Sequence, residues 1–330
     1  MLTEDTSSKL KVVITTASLQ RFIRSYGLIL ILAVVTLTFT ALQPAFLSLQ
    51  NIIGILYQVS LVGTMAVCST FVVISGGIDL SVGPILAMAG LYAVFNLTDS
   101  GPFLIPALLI GLLTGLVCGL LNGLAVSMLK LPAIIVTLAS MSIFRGFALM
   151  TGGSTEHAVP GPDAFLFIGQ GKIVGLPFPI FIFAAVALFM LFLQTRTRFG
   201  LNVFAIGENE EAARLCGLPV TRIRTLVYVI SGIGAAIGGL MLTSQTNTGW
   251  STYGTGIELD VIAAIVLGGT SLAGGSGSVN RTVIGTLLIG EINNGMSMLN
   301  VSIEQQLIAK GLIIILAIAF NNKLLKWAEK

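Results

Sequence analysis

The chain has 330 residues, of which 55% are hydrophobic and 9% are charged, and its formal net charge is +3. A composition this apolar excludes a single soluble domain, and a net charge this small gives no basis for binding nucleic acid. Apolar stretches recur along the chain at lengths near the roughly 20 residues that a membrane-spanning helix needs. We therefore predict an all-α polytopic membrane protein, whose about ten transmembrane segments form one domain over residues 26–320.

The first half of the chain contains a polar break between two apolar stretches. Residues 1–25 are polar and basic and lack the apolar core of a cleaved signal, which predicts a cytoplasmic tail. Spans one to five are predicted at about 26–42, 52–74, 82–97, 103–128 and 133–150. Residues 76–83 (Gly-Gly-Ile-Asp-Leu-Ser-Val-Gly) separate spans two and three. Exposed polar backbone at membrane depth survives only where protein or a water-filled cavity covers it, so this stretch predicts a broken helix.

The fourth predicted span carries a glycine ladder at Gly111, Gly115, Gly119 and Gly123. Because these glycines are four residues apart, they share nearly one face of the helix, where a neighbouring backbone can approach closely. The ladder indicates helix packing and not a ligand site.

The second half of the chain contains a second break. A connection at 151–177 leads to a sixth span at about 178–193 and then to a polar segment at about 194–224. Spans seven to ten are predicted at about 225–243, 261–267, 283–298 and 307–320, and residues 321–330 are predicted to be a second cytoplasmic tail. The run Gly256-Ile257-Glu258-Leu259-Asp260-Val261 resembles residues 77–82, which predicts another broken helix.

Cysteine, histidine and phosphate-loop patterns give no catalytic or metal site. Cys68, Cys118 and Cys216 are odd in number and far apart, so unpaired packing residues are expected. His157 is the only histidine, which leaves no His pair for catalysis and no His-based metal cluster. No Gly-x-x-x-x-Gly-Lys-Ser/Thr loop occurs. We expect no catalytic residue, metal or cofactor in this chain, and ATP to be handled elsewhere.

The polar segment contains a short helix at about 209–217 whose ends are both marked. Asn209 can accept from the first-turn amides, Glu210 and Glu211 suit the positive end of the helix dipole, and Gly217 stops the helix. A solvated connector is one interpretation. A short capped helix between two membrane spans is better explained as an element that a partner protein binds.

The two halves match at more than the breaks, which predicts an internal duplication. Residues 119–123 resemble residues 290–295, and spans two to five (about 52–150) then correspond to spans seven to ten (about 225–320). A shift of five helices is odd, so the repeats are predicted to be inverted. With both termini in the cytoplasm, the basic residues fall in tails and inner loops except Arg145, Lys172 and Lys310.

Three separated motifs, at residues 76–83, 205–217 and 256–275, carry a resemblance that covers nearly all the chain beyond the N-terminal tail. In this order they resemble the permease subunits of ribose-type sugar ABC importers. The resemblance implies a type II ABC-importer-like permease in a bacterial inner membrane. It also implies a second permease copy or a paralogous permease, a cytoplasmic ABC ATPase that holds ATP and Mg, and a periplasmic sugar-binding protein.

The resemblance also implies that a cytoplasmic helix docks in a cleft of the ATPase. The matching residues are Glu208, Asn209, Glu210, Glu211, Ala212, Ala213, Arg214 and Gly217. Glu208 departs from the family, which commonly has a second glycine after the residue that matches Gly207.

The substrate pathway is expected to pass the helix breaks, at Asp79, Ser81, Glu258, Asp260 and Asn293. A charge near the bilayer centre costs about 3 kcal/mol on insertion scales, so such groups are rarely without function. Here they either only cap half-helices or also contact sugar hydroxyls.

Three further expectations concern Glu291, the class of transporter and the substrate. Glu291 is expected to pair with Lys310 or Arg145 and so hold helices together inside the bundle. The alternative function is a proton-coupled secondary transporter that uses the intramembrane carboxylates as a relay, which explains the acids but not the capped helix. Ribose or another pentose is the first substrate to expect, ahead of hexoses, galactofuranose or a furanosyl signalling molecule.

Overall fold

The computed structural model describes residues 26–97, 104–161 and 163–328, and this part of the chain is a bundle of α-helices. The predicted tail at 1–25 lies outside the described residues. In chain order the helices are α1 (Tyr26–Leu42), α2 (Leu49–Ile74), α3 (Val82–Phe95), α4 (Leu104–Ser127), α5 (Ala133–Gly152), α6 (Asp163–Gln170), α7 (Phe178–Arg196), α8 (Arg198–Glu208), α9 (Glu210–Leu215), α10 (Val220–Thr246), α11 (Ile257–Leu267), α12 (Val279–Met298) and α13 (Ile303–Ala328).

Short strands and one 3-10 turn connect some of these helices. The turn at Pro44–Leu47 joins α1 to α2. Strand β1 (His157–Ala158) pairs antiparallel with β4 (Thr248–Gly249), and β2 (Lys172–Ile173) pairs antiparallel with β3 (Leu176–Pro177) in a hairpin.

Helix α10 packs closely on α4 through the glycine ladder. A Cβ on Gly115 would overlap the backbone of Gly232, and a Cβ on Gly119 would overlap the backbone of Tyr228. Gly123 lies against Thr225, so the two helices run antiparallel. The packing role predicted for the ladder is confirmed.

The helix lengths are those of a membrane protein. Helices α2, α4, α5, α7 and α10 are long and apolar enough to cross a membrane, and α1 and α3 are shorter apolar helices. With 14 and 11 residues, α3 and α11 extend about 21 and about 16 Å, less than the roughly 30 Å of a hydrocarbon core. The fold is thus an all-α membrane bundle in which α3 and α11 are half-helices.

Three segments differ from the expectation. The connection at 151–177 contains α6 and the β2–β3 hairpin, the polar segment at 194–224 contains α8 as well as α9, and α13 continues to Ala328 through most of the expected tail. Helices α6 and α8 are short and amphipathic, and they bury Phe165 and Val203 completely. Their apolar residues are too few to stand out among the long apolar spans.

Contacts between helix ends identify the two ends of the bundle. Arg224, near the start of α10, donates to the carbonyl of Ser75, just after α2, at 3.4 Å, and it also contacts α9. We name this the α9 end. At the opposite end, Ser244 of α10 accepts from the Gly169 amide of α6 at 2.7 Å. Helix α2 therefore runs toward the α9 end, and α10 runs away from it.

Candidate functional site

The structure contains the helix break that residues 76–83 predict. Helix α2 ends at Ile74, and α3 begins at Val82. Gly76 has a φ of 81°, in the left-handed region that glycine adopts without steric cost. The Gly77 amide then donates to the Val72 carbonyl at 2.9 Å. The chain therefore turns back along α2 before α3 starts.

Asp79 is buried in this break, and both of its carboxylate oxygens are hydrogen-bonded. Oδ1 accepts from the amide and the hydroxyl of Ser81, at 3.0 and 2.6 Å. Oδ2 accepts from Ser231 Oγ of α10 at 2.8 Å. A carboxylate removed from water needs such donors to offset its desolvation. Asp79 therefore fixes the start of α3 against α10.

The hydrogen bonds of Asp79 continue into two further helices. The Ser81 hydroxyl accepts from Asn122 Nδ2 of α4 at 2.8 Å. Ser231 Oγ lies 2.9 Å from Ser69 Oγ of α2. The network joins α2, α4 and α10 to the break. Sequence reasoning identified Asp79 and Ser81 but missed the other members, because small polar residues inside apolar helices give no pattern until the helices pack.

The second break precedes α11. Gly256 has a φ of 84° and caps the helix, which begins at Ile257. The expectation placed Glu258 and Asp260 within the gap, whereas the structure places both in the first turn of α11. Acidic side chains are favourable there because the helix dipole is positive at its N-terminus.

The starts of the half-helices α3 and α11 meet inside the bundle. A Cβ on Gly83 would lie 2.5 Å from the Gly254 carbonyl oxygen and 2.6 Å from Glu258 Oε2. The side chain of Glu258 is buried, and its Oε1 accepts from the Gly256 amide at 3.2 Å. Its Oε2 has no hydrogen-bond partner among the described residues. Since buried polar atoms are normally paired, this oxygen is a candidate acceptor for a ligand hydroxyl.

Arg145 of α5 lies beside this junction. Its Nη1 donates to the carbonyl oxygens of Ser251 and Tyr253, the latter at 2.8 Å. Its positive charge also acts favourably on Glu258. Arg145 therefore holds the turn before α11 and partly offsets the charge of Glu258, a role that the sequence did not indicate.

Asp260 forms an ion pair, and the expected pairing of Glu291 is wrong. Asp260 Oδ2 lies 2.9 Å from Lys310 Nζ of α13. Glu291 instead accepts from Thr36 Oγ1 of α1 at 2.9 Å. Lys310 is engaged by Asp260, and Arg145 is engaged by backbone carbonyls, so neither is available to Glu291. Asp260 thus ties α11 to α13.

Asn293 lies on α12, which packs antiparallel to α11. Gly285 lies against Ala264, and this register brings Asn293 level with the start of α11. Asn293 Oδ1 is buried without a partner among the described residues. The adjacent Asn294 is tied to Asn51 of α2 at 3.0 Å. Asn293 and Glu258 therefore each offer a buried acceptor at one level of the bundle.

Helix α9 has the two marked ends that the sequence predicts. Asn209 Oδ1 accepts from the Ala212 amide at 2.9 Å. Gly217, with a φ of 80°, follows the helix. The predicted capping is confirmed, and α8 ends at Glu208, immediately before the cap.

The two faces of α9 have different surroundings. Ala213 is buried against the bundle, and Glu210 is half-buried. Glu211, Leu215 and Cys216 are exposed, with Leu215 at 85%. The inner face is thus held by the bundle, and the outer face is available to a partner.

Comparison with known proteins gives several matches. Residues 51–318 match a family described as branched-chain amino acid transport system / permease component. The ribose import permease protein of Bacillus subtilis (strain 168) is 40% identical over 298 residues, which cover 90% of this chain and 91% of the relative. The L-arabinose transport system permease protein of Escherichia coli (strain K12) is 38% identical over 299 residues, 90% of each chain. No solved structure matches this chain.

The matched residues include both helix breaks and α9. Another relative, the ribose import permease protein of Escherichia coli (strain K12), is 38% identical over 304 residues, which cover 90% of this chain and 93% of the relative. The family match and the relatives cover most of the chain, and the apolar helices agree with a membrane permease. The chain is a multi-pass membrane protein that belongs to the family of branched-chain amino acid transport system / permease components.

Proposed function

We propose that this chain is the permease subunit of an ATP-driven importer and forms the pathway for a monosaccharide, with ribose or another pentose as the first candidate. Relatives named for ribose and L-arabinose transport match 90% of it. In this proposal a separate ABC ATPase holds ATP and Mg and performs the hydrolysis, and a periplasmic binding protein delivers the sugar. The chain itself, as a permease component, is not an enzyme.

The proposed architecture is a pair of inverted repeats, α2–α5 and α10–α13. Helices α2 and α10 run in opposite directions, and a half-helix, α3 or α11, follows each break. We propose that the α9 end and both termini face the cytoplasm of a bacterial cell, in agreement with the basic residues of the predicted inner loops. A second copy or a related permease would complete the pathway.

The observation that carries the proposal is the junction of the two half-helices. Glu258 Oε2 and Asn293 Oδ1 are buried oxygens without partners among the described residues, at the level where α11 begins. A sugar presents many hydroxyl donors, which such acceptors can bind. Both oxygens of Asp79 already accept hydrogen bonds from the protein, whereas Glu258 Oε2 and Asn293 Oδ1 accept none from the described residues. We therefore assign sugar contact to Glu258 and a capping role to Asp79.

The test is uptake of radiolabelled sugar by proteoliposomes that hold this chain with its ATPase, supplied with the binding protein. Glu258→Gln keeps the length of the side chain and the bond to the Gly256 amide but loses the charged acceptor. We expect uptake to fall by at least about tenfold, since a hydrogen bond to a charged group contributes about 1.5–3 kcal/mol.

The matched control is Glu291→Gln, which changes a half-buried carboxylate outside the junction. This control should retain wild-type uptake, because Thr36 can still donate to the amide oxygen. Equal losses in the two variants would contradict a specific role for Glu258. Uptake of leucine but not of ribose or arabinose would contradict the sugar assignment.

The proton-coupled alternative has its own test. The relatives are named as import permeases and components of transport systems, which favours the ABC importer. Uptake by the purified chain alone, under a proton gradient and without ATPase or ATP, would reverse this conclusion.

A further inference from the structure

The α9 end contains a joint where three segments touch backbone to backbone. We name it the glycine joint and define it as Ile74, Gly76, Gly207, Gly274 and Gly275. A Cβ on Gly207 would overlap the Ile74 carbonyl, and the Gly275 amide donates to the same carbonyl at 2.9 Å. A Cβ on Gly274 would lie 2.8 Å from the Gly207 oxygen and 3.0 Å from Gly76 Cα. The end of α2, the end of α8 and the loop before α12 are therefore in direct contact.

One ion pair joins α9 to α10 beside this joint. Arg224 of α10 donates through Nη1 to Glu210 Oε2 and through Nη2 to the Ser75 carbonyl. The Arg224 side chain is 21% exposed and that of Glu210 is 35% exposed. Glu210 also accepts from Arg214 at 2.8 Å, but the Arg214 side chain is 50% exposed. Since exposed pairs contribute little, Arg224 is the partner of Glu210 that matters.

These contacts connect α9 to the break that carries Asp79. A displacement of α9 acts on Ser75 through Arg224, and backbone contacts in the glycine joint have no flexible side chain that could absorb it. Close-packed interiors transmit such strain. Chains of packed groups and rigid elements of this kind can carry energetic coupling between distant sites.

We propose that the Glu210–Arg224 ion pair is a positioning link that carries movement of α9 to the helix break at residues 75–81. The proposal rests on the proposed function and adds that the ATPase binds the outer face of α9. It reassigns Glu210 from the docking role that the sequence suggested, because its carboxylate points inward to Arg224. Docking then falls to the outer face, which includes Glu211 and Leu215.

The test separates docking from coupling. Arg224→Gln and Glu210→Gln each remove one charge of the link. We expect both variants to retain the ATPase on purification, while binding-protein-dependent sugar uptake falls by about tenfold, within the usual range of coupling free energies. The double variant should be no worse than either single one, since both changes break the same interaction.

Two further variants keep the test decisive. Arg222→Gln makes the same substitution at an exposed position of the same helix and should retain wild-type uptake. Arg224→Lys keeps the charge but cannot donate from two nitrogens to Glu210 and Ser75 at once, so its uptake should be intermediate.

A second measurement, hydrogen–deuterium exchange, does not depend on which substrate is transported. In the wild-type chain, binding of the ATPase should change hydrogen–deuterium exchange at residues 75–81, and Arg224→Gln should abolish that change. A wild-type complex that transports no sugar but still shows this change would refute the proposed function and support the link. Loss of the ATPase from Glu210→Gln, multiplying losses in the double variant, or full uptake by Arg224→Gln would overturn the link.

Discussion

Asp79 shows how a carboxylate is accommodated inside an apolar bundle by neutral donors. The donors come from Ser81 in the break and from Ser231 in α10. The desolvation of a buried charge is costly, so the groups that satisfy it cannot be removed without a large penalty. The bonds from Ser81 to Asp79 also fix the position at which α3 begins.

The structural role of Asp79 predicts a loss of stability. Asp79→Ala leaves the hydroxyls of Ser81 and Ser231 without their acceptor and should destabilise the fold by about 3 kcal/mol. Thermal unfolding in detergent should show a clearly lower Tm. Ser60→Ala is the control, because within the described part of the chain this buried hydroxyl bonds only to the Leu56 carbonyl of its own helix. Equal shifts in the two variants would contradict the assigned role.

The site was only partly predictable from residue types. Asp79 and Glu258 stand out because acids are rare in apolar stretches. Ser231, Arg145 and Arg224 did not, since their partners lie far away in sequence and become neighbours only when the helices pack. The sequence suggested Lys310 or Arg145 as the partner of Glu291. This was wrong for Lys310 because folding brings Asp260 to it, which the positions along the chain do not show.

At the scale of helices, the glycine ladder of α4 predicts a steric effect. Gly119→Ala would place a methyl group against the backbone of Tyr228 and Val229, and it should destabilise the fold by about 1–3 kcal/mol through overpacking. Gly146→Ala in α5 is the matched control, because nothing lies within 4 Å of its Cβ position. The control should be neutral or slightly stabilising, since alanine favours helix more than glycine does. A lower Tm for both variants would contradict this account of the ladder.

The long helices and both breaks were predictable because hydrophobic length and glycine-rich polar stretches are properties of local sequence. The end of α1 at Leu42 agrees with the end of the predicted first span. Helices α6 and α8 were missed because only their packing on the bundle distinguishes them from irregular connections. The second break lies earlier than expected because Gly256 caps α11 and draws Glu258 and Asp260 into the helix.

At the scale of the whole molecule, the proposed orientation predicts which cysteines react. Cys216 is exposed at the α9 end, whereas Cys68 and Cys118 are buried. A membrane-impermeant maleimide should label the wild-type chain in inside-out vesicles but not in intact spheroplasts. Val174→Cys, at the 94% exposed tip of the β2–β3 hairpin, should show additional labelling in intact spheroplasts.

Mass spectrometry of the labelled peptides checks this orientation. Cys216→Ser should remove the labelling of inside-out vesicles. Labelling of Cys216 from outside the spheroplasts would place α9 on the periplasmic side, where no ATPase could hold it.

The glycine joint also limits how this protein can diverge. A side chain at Gly207 would meet the Ile74 carbonyl, and one at Gly274 would meet the Gly207 carbonyl. Neither position therefore accepts even an alanine without movement of the backbone. Substitution there demands a simultaneous shift of α2, α8 and the loop before α12. Sequences that keep this packing are therefore expected to retain glycine at both positions.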